Sequence, residues 1–240
     1  MADWAGSNFT ESRHTDTYLT IDPSKLDFGG RYVFITRASK GIGRDIALSY
    51  ASAGAAGIGI GARSDTADLP GLLAEAARMA GHTEPKVVAV SVDVTDKDSV
   101  AAAAVAVGDV FPRLDVLVNN AGIASHVLWT GAVAYHTSKL AVLRLAELLN
   151  VDYSKSDGLL AYSVHPGISP TDMGNRLPEY LTSKVTDTPK LGADTVVFLT
   201  EKRRDWLAGR YIAANWDMDE LLSREKIIVE GNKLKVRMIA

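Results

Sequence analysis

Residues 31–53 read RYVFITRASKGIGRDIALSYASA. The opening RYVFIT is β-branched and aromatic, the closing RDIALSYASA spaces its apolar residues as a helix does, and Gly41-Ile42-Gly43 lies between them. Strand, glycine turn and helix in that order form the first half of a parallel βαβ unit. A turn of this kind lets the backbone approach a pyrophosphate, whose charge then sits at the positive end of the helix. A turn that only joins strand to helix is the plainer alternative, and the rest of the chain decides between them.

Outward from this stretch the pattern repeats. Further strands are expected at 55–62, 86–92, 114–119, 159–165 and 210–214, and helices at 42–53, 68–80, 99–110, 133–153 and 191–200. The runs VFIT, VVAVSV and DVLVN are almost continuously apolar, which predicts strands covered by helices on both faces. The expected fold class is α/β, a Rossmann-type doubly wound parallel sheet in a single domain. Ligands of such sheets bind beyond the carboxyl ends of the strands.

Composition narrows the function classes. The chain has 240 residues, 47% of them hydrophobic and 23% charged, with a formal charge of −3. That balance predicts neither disorder nor the basic footprint of a protein that binds nucleic acid or an anionic membrane. With no cysteine, disulfides, thiol catalysis and zinc-thiolate sites are excluded, and a reducing, cytoplasmic location is expected. The first thirty residues hold no apolar signal core, and no stretch approaches the roughly 18 apolar residues of a membrane span. His14, His82, His126 and His136 form no HExxH and sit in no carboxylate cluster, so no metal site is expected.

The residues after each strand carry the chemistry. Thr36, Ser39, Lys40 and Ile42 belong to the glycine turn. The second strand ends at Arg63, where a carboxylate would bond a ribose 2′-hydroxyl but an arginine accommodates a 2′-phosphate. Asp93 follows the third strand, where an aspartate can also cap a helix. Asn119-Asn120-Ala121-Gly122 closes the fourth. Tyr135 and Lys139, in YHTSK, share one helical face at i,i+4. His165-Pro166-Gly167-Ile168-Ser169-Pro170-Thr171 follows the next strand.

In this order the motifs resemble those of the short-chain dehydrogenase/reductase family: TGxxxGxG, NNAG, YxxxK and PG-x-x-x-T. The stretch TDTPKLGADTVVFLT and the C-terminal residues resemble its fungal members in particular. The resemblance covers residues 29–240. It divides the chain into a polar N-terminal extension (1–28), a dinucleotide-binding oxidoreductase domain (29–216) and a C-terminal tail (217–240) that packs on or follows it. It implies hydride transfer between NADPH and a carbonyl or secondary alcohol, the small-molecule substrate. Tyr135 would be the proton donor. Lys139 would lower the pKa of Tyr135 and hold the nicotinamide ribose. Thr36, Ser39, Lys40, Ile42, Arg63, Asp93, Asn120, Tyr135, Lys139, Ile168 and Thr171 would contact NADP. Arg37 stands where the family has its first glycine, and two readings stay open: it weakens binding, or it reaches a phosphate.

One interval departs from the family. Tyr135 follows Gly122 by only thirteen positions. A further parallel strand needs a crossover of about a dozen residues, then roughly five for itself, then a loop. Family members carry a helix and a strand here, which supply a relay asparagine and a serine that orients the carbonyl. The register of that serine lands on Gly122, and Ser125 and Thr130 are the nearest hydroxyls. One strand and one helix fewer than the family norm are therefore expected, and the oligomeric state stays open because that helix belongs to the family's usual dimer interface. An impaired relative that binds dinucleotide or a partner without turnover is the second function class.

Overall fold

The computed structural model describes residues 6, 8–122, 133–154, 157–172, 174–176 and 182–238. They fall into two compact units. The first joins Thr17–Gly122 to Gly192–Glu201; the second comprises the described residues of Met1–Asp16, Ile123–Leu191 and Lys202–Ala240.

The first unit is a four-stranded parallel sheet. Its strands are β1 (Tyr32–Thr36), β2 (Gly57–Ala62), β3 (Lys86–Ser91) and β4 (Val116–Val118), in spatial order β3-β2-β1-β4. The crossovers contain α1 (Ile42–Ser52), α2 (Leu69–Met79) and α3 (Lys97–Gly108). Parallel neighbours with the chain reversing about β1 make this a doubly wound, Rossmann-type arrangement. The expected elements appear within a few residues of their predicted ends.

The sequence GIGIGA explains how the centre closes. Every residue of β2 is buried. With side chains alternating across a strand, Ile58 and Ile60 fill one face while Gly57, Gly59 and Gly61 leave room on the other. Phe34, paired with Gly59, occupies that room: a Cβ at Gly59 would collide with its ring, and one at Gly57 would meet Tyr32 and Phe111. Phe34, Phe111 and Val107 of α3 form a core cluster there. Three glycines thus trade side-chain burial for three aromatic rings, each a larger apolar body than the side chains it displaces.

Two expectations need correction. β3 and β4 are not covered on both faces, since no residue of β3 is buried, Lys86, Ala89 and Ser91 being exposed, and Leu117 in β4 is 53% exposed. Their apolar runs resemble those of β1, but they lie at the sheet's two edges, and strand order is a tertiary fact that a local pattern does not encode. The stretch read as a polar extension also packs: Ile21 and Phe28 are fully buried, and the Phe28 ring meets Tyr50 edge-on at 5.0 Å.

The second unit holds a parallel pair, β5 (Ser163–His165) and β6 (Tyr211–Ala213). The long helix α4 (Val133–Tyr153) buries Ala146, Glu147 and Asn150. Asn150 Nδ2 donates to the Ala161 carbonyl while its Oδ1 accepts the Ala161 N–H, a two-way bond that satisfies a chain segment outside any ladder. α5 (Pro189–Glu201) starts here, capped by the Thr188 hydroxyl with proline at its first position, and runs on into the first unit. The short helices α6 (Met218–Ser223) and α7 (Glu225–Glu230) complete the unit. Its termini are tied in as well: Trp216 Nε1 donates to the Gly6 carbonyl, and the Tyr211 N–H donates to that of Leu234. No helix among the described residues is long and apolar enough to cross a membrane.

Candidate active site

Seven of the eleven predicted cofactor contacts gather at the carboxyl end of the four-stranded sheet. Thr36 ends β1, and its hydroxyl accepts the Asn120 and Ala121 N–H groups at 3.0 and 2.9 Å. Asn120 returns the bond, its Nδ2 donating to the Thr36 carbonyl at 3.1 Å. The two residues therefore lock the turn after β1 to the end of β4. Ser39 of the glycine turn meets Ser64 beyond β2 at 2.8 Å.

Gly41 has φ +58 and caps α1 without any side-chain acceptor. The cap residue itself thus supplies no side-chain oxygen to the first turn, and a helix start favours an anion. A Cβ at Gly43 would strike both the Asn120 amide and the Arg37 carbonyl, so only glycine fits. This uncapped helix start behind a bare-backbone turn, opening at Ile42 with Lys40 exposed beside it, fits a dinucleotide's phosphates.

Arg63 and Asp93 follow neighbouring strands and pair at 3.3 Å, with Arg63 68% exposed. Asp93 Oδ1 is already engaged by the N–H and hydroxyl of Thr95, and these bonds, aided by Arg63, hold its carboxyl below the usual range. Asp93 is thus part turn-former and part anchor for Arg63; the cap of α3 is Asp96. Arg37 adopts φ +56, a region that costs an ordinary residue about 1–2 kcal/mol. Its guanidinium donates to the Gly122 carbonyl at 2.6 Å, a second tie between this turn and the end of β4.

The remaining four contacts belong to the second unit. Tyr135 and Lys139 lie one turn apart in the first half of α4, with Nζ 5.5 Å from the centre of the phenol ring. The shift at Tyr135 is upward, from burial, so the lowering expected of Lys139 is not what this geometry produces.

Ile168 and Thr171 follow β5. The Ile168 N–H donates to Asp187 Oδ2 at 2.7 Å, while Oδ1 accepts Asn215 Nδ2 at 2.9 Å. Asp187 is buried, and Gly167, at φ +89, leaves no room for a Cβ beside it. The Thr171 hydroxyl accepts the Gly174 N–H at 3.3 Å. Asp187 thus holds the Pro-Gly turn. The sequence offers only a lone aspartate one residue before a helix cap, too weak a signal to single it out. His165 Nδ1 accepts the Gly167 N–H at 3.2 Å, and burial pushes the imidazole's pKa down.

Glu147 is a further hub that the sequence does not announce. Burial pushes its carboxyl up, but bonds from Arg237 and the Val236 N–H, with Arg144 nearby, outweigh that and hold it ionised. Ser125, Thr130 and His126 lie outside the described residues.

The model of a family described as short chain dehydrogenase matches residues 31–129. The short chain dehydrogenase citE of Monascus ruber is 38% identical over 286 residues, covering 98% of this chain and 98% of the relative. The short chain dehydrogenase pigC of the same species is 40% identical over 284 residues, covering 96% and 93%. Among solved structures, a 7α-hydroxysteroid dehydrogenase complexed with NADH and 7-oxo glycochenodeoxycholic acid superposes with a TM-score of 0.66 over 82% of this chain and 96% of that one. At 17% identity that likeness concerns the fold alone.

Proposed function

Because this chain belongs to the short-chain dehydrogenase family and carries its nucleotide-binding fold, we propose that the oxidoreductase uses NADP and that Tyr135 donates the proton. The substrate in this reading is a small carbonyl compound, or a secondary alcohol in the reverse direction, and the cysteine-free composition suits the reducing cytoplasm. One observation carries the cofactor assignment: a mostly exposed guanidinium, Arg63, stands at the end of β2, held by Asp93, where a carboxylate would select against a 2′-phosphate.

In this reading the uncapped start of α1 holds the pyrophosphate and Arg63, with Lys40, takes the 2′-phosphate. When bound, NADPH supplies the hydride that reaches the carbonyl carbon. Tyr135 gives its Oη proton to the carbonyl oxygen as negative charge develops there. Its raised pKa keeps the phenol protonated and available as a donor, and it also makes the phenolate left behind costly. Lys139, one turn away, compensates only once charge forms on the ring. Ile168 and Thr171 line the nicotinamide side on a turn that Asp187 holds in place.

Replacing Tyr135 by Phe removes the transferable proton and little else. Turnover of a carbonyl panel falls by about two to four orders of magnitude, while NADPH binding by fluorescence titration stays unchanged; unchanged turnover refutes the donor. The second reading, a member that binds dinucleotide without reducing anything, is favoured by the upward shift at Tyr135 and the thirteen-position interval before it. NADPH binding with no turnover of any carbonyl by the unmodified chain selects it.

A further inference from the structure

Glu147 gathers more positive charge than it neutralises. Its carboxyl is buried, with the side chain only 7% exposed. Oε2 accepts Arg144 Nη1 at 2.7 Å and Arg237 Nη1 at 2.8 Å, and Oε1 accepts the Val236 N–H at 3.1 Å. A guanidinium carries more N–H donors than these bonds use, so both arginines, which are exposed, keep donors to spare. Lys235 stands beside them, half-buried, and among the described residues no carboxylate lies within ion-pairing distance of its ammonium. Burial, then the Arg210 guanidinium, push the pKa of that ammonium down, with Arg237 and Arg144 adding to the effect and Glu147 opposing it.

These groups line one cavity of about 570 Å³ between the second half of α4 and residues 235–238. That is the volume of a small-molecule site. Its polar wall sets three cations, Arg144, Lys235 and Arg237, against one carboxylate, a surplus of two positive charges. Its other wall is apolar: Leu148, Val151 and Met238, all exposed. An ammonium drawn partly out of water without a counter-ion is costly, and so are bare aliphatic side chains next to it; an anion with an apolar body answers both. The cavity is not the place where Tyr135 works. Glu147 lies twelve positions beyond Tyr135 on α4, about 18 Å at 1.5 Å per residue. All its lining residues belong to the second unit.

We propose that this cavity binds a soluble organic phosphate monoester, with the dianionic head between Arg144, Lys235 and Arg237 and the carbon body along Leu148, Val151 and Met238. The charge count selects a dianion, since a single carboxylate would leave half of the surplus uncovered. Guanidinium forks match phosphate oxygens in pairs, and the ammonium adds a point charge. Glu147, with both oxygens engaged, is a positioning residue that holds the two guanidinium groups at the cavity wall. An anionic bilayer is the other source of such a head, but the chain's formal charge of −3 gives it no general attraction to one.

Titration calorimetry of the full chain with hexyl phosphate tests the proposal, beside inorganic phosphate, hexanoate, hexanol and phosphatidate vesicles. Hexyl phosphate should bind, inorganic phosphate and hexanoate should bind about tenfold more weakly or worse, and hexanol should give no heat. Lys235→Gln should lower the affinity for hexyl phosphate about tenfold, and Lys235→Arg should bring it back to within about threefold. Met238→Glu, at a position exposed enough to spare the fold, should weaken binding without removing a cation. Arg63→Asp should change nothing, which separates this cavity from the glycine turn and keeps the result independent of the cofactor assignment. The proposal is overturned by an affinity that Lys235→Gln and Met238→Glu leave intact, by a loss in Arg63→Asp instead, by hexanol or inorganic phosphate binding as well as hexyl phosphate, or by heat with the vesicles alone.

Discussion

The two units solve the same problem to different degrees. In the first, β1 and β2 are buried, three glycines make room for aromatic rings, and every strand end leads into a tied turn. In the second, the helix bearing Tyr135 and Lys139 keeps most of its apolar residues in water. The residues that would hold a dinucleotide therefore follow strands whose centre, β1 and β2, is buried, and those that would do the chemistry stand on a helix whose apolar residues are mostly exposed.

The largest break in that contrast comes from equal truncations in the two regions. Ile60→Ala, in the fully buried β2, should cost about 2–5 kcal/mol. Leu145→Ala, on the exposed flank of α4, should stay within about 0.5 kcal/mol. Urea unfolding measures both, and a Leu145 loss as large as that of Ile60 would mean that α4 is covered after all.

Asp187→Ala comes next. It strips the acceptor from the Ile168 N–H and from Asn215 Nδ2, at about 1–3 kcal/mol for each group left buried and unsatisfied. The effect should be confined to the second unit, so that amide exchange quickens around Gly167 and Ile168 and stays constant through β1 and β2. Uniform acceleration would show that the two units share one cooperative core.

Acid sharpens the contrast further. Burial lowers the pKa of His165, so the unfolded chain takes up this proton first, near pH 6.5. The contribution is complete above that pH and is lost as pH falls toward the lower folded value. The urea midpoint should drop between pH 7.5 and 5.5, and His165→Gln should flatten the slope; a wild-type midpoint constant over that range contradicts the assignment.

Arg37→Gly should have the smallest effect on stability. Relief of a left-handed backbone, worth about 1–2 kcal/mol, opposes the loss of one hydrogen bond worth about 1 kcal/mol. Affinity for NADPH should hold or improve, and weaker binding would make Arg37 itself a phosphate ligand.

The fold was legible where local rules suffice. RYVFIT followed by Gly41 and Gly43 announces strand, turn and helix, because β-branching, absent Cβ atoms and helical spacing are properties of adjacent residues. That β3 and β4 are edge strands was not legible, since their neighbours are chosen by chain order in space. Ile21 and Phe28 were hidden in a polar stretch, where single anchors leave no periodicity. In the site, Arg63 and the YHTSK spacing could be read directly. Asp187 could not, because its role depends on Asn215 and Ile168, distant in sequence. The upward shift at Tyr135 was also out of reach: spacing puts Lys139 nearby, but burial is set by packing from elsewhere.

Calorimetric titration of the unmodified chain and of Arg63→Asp with NADPH and NADH goes to the centre of the account. The unmodified chain should prefer NADPH by about tenfold or more, equivalent to at least about 1.4 kcal/mol, and the substitution should reverse the preference. Absence of heat with either nucleotide, or a preference that Arg63→Asp leaves untouched, would contradict it.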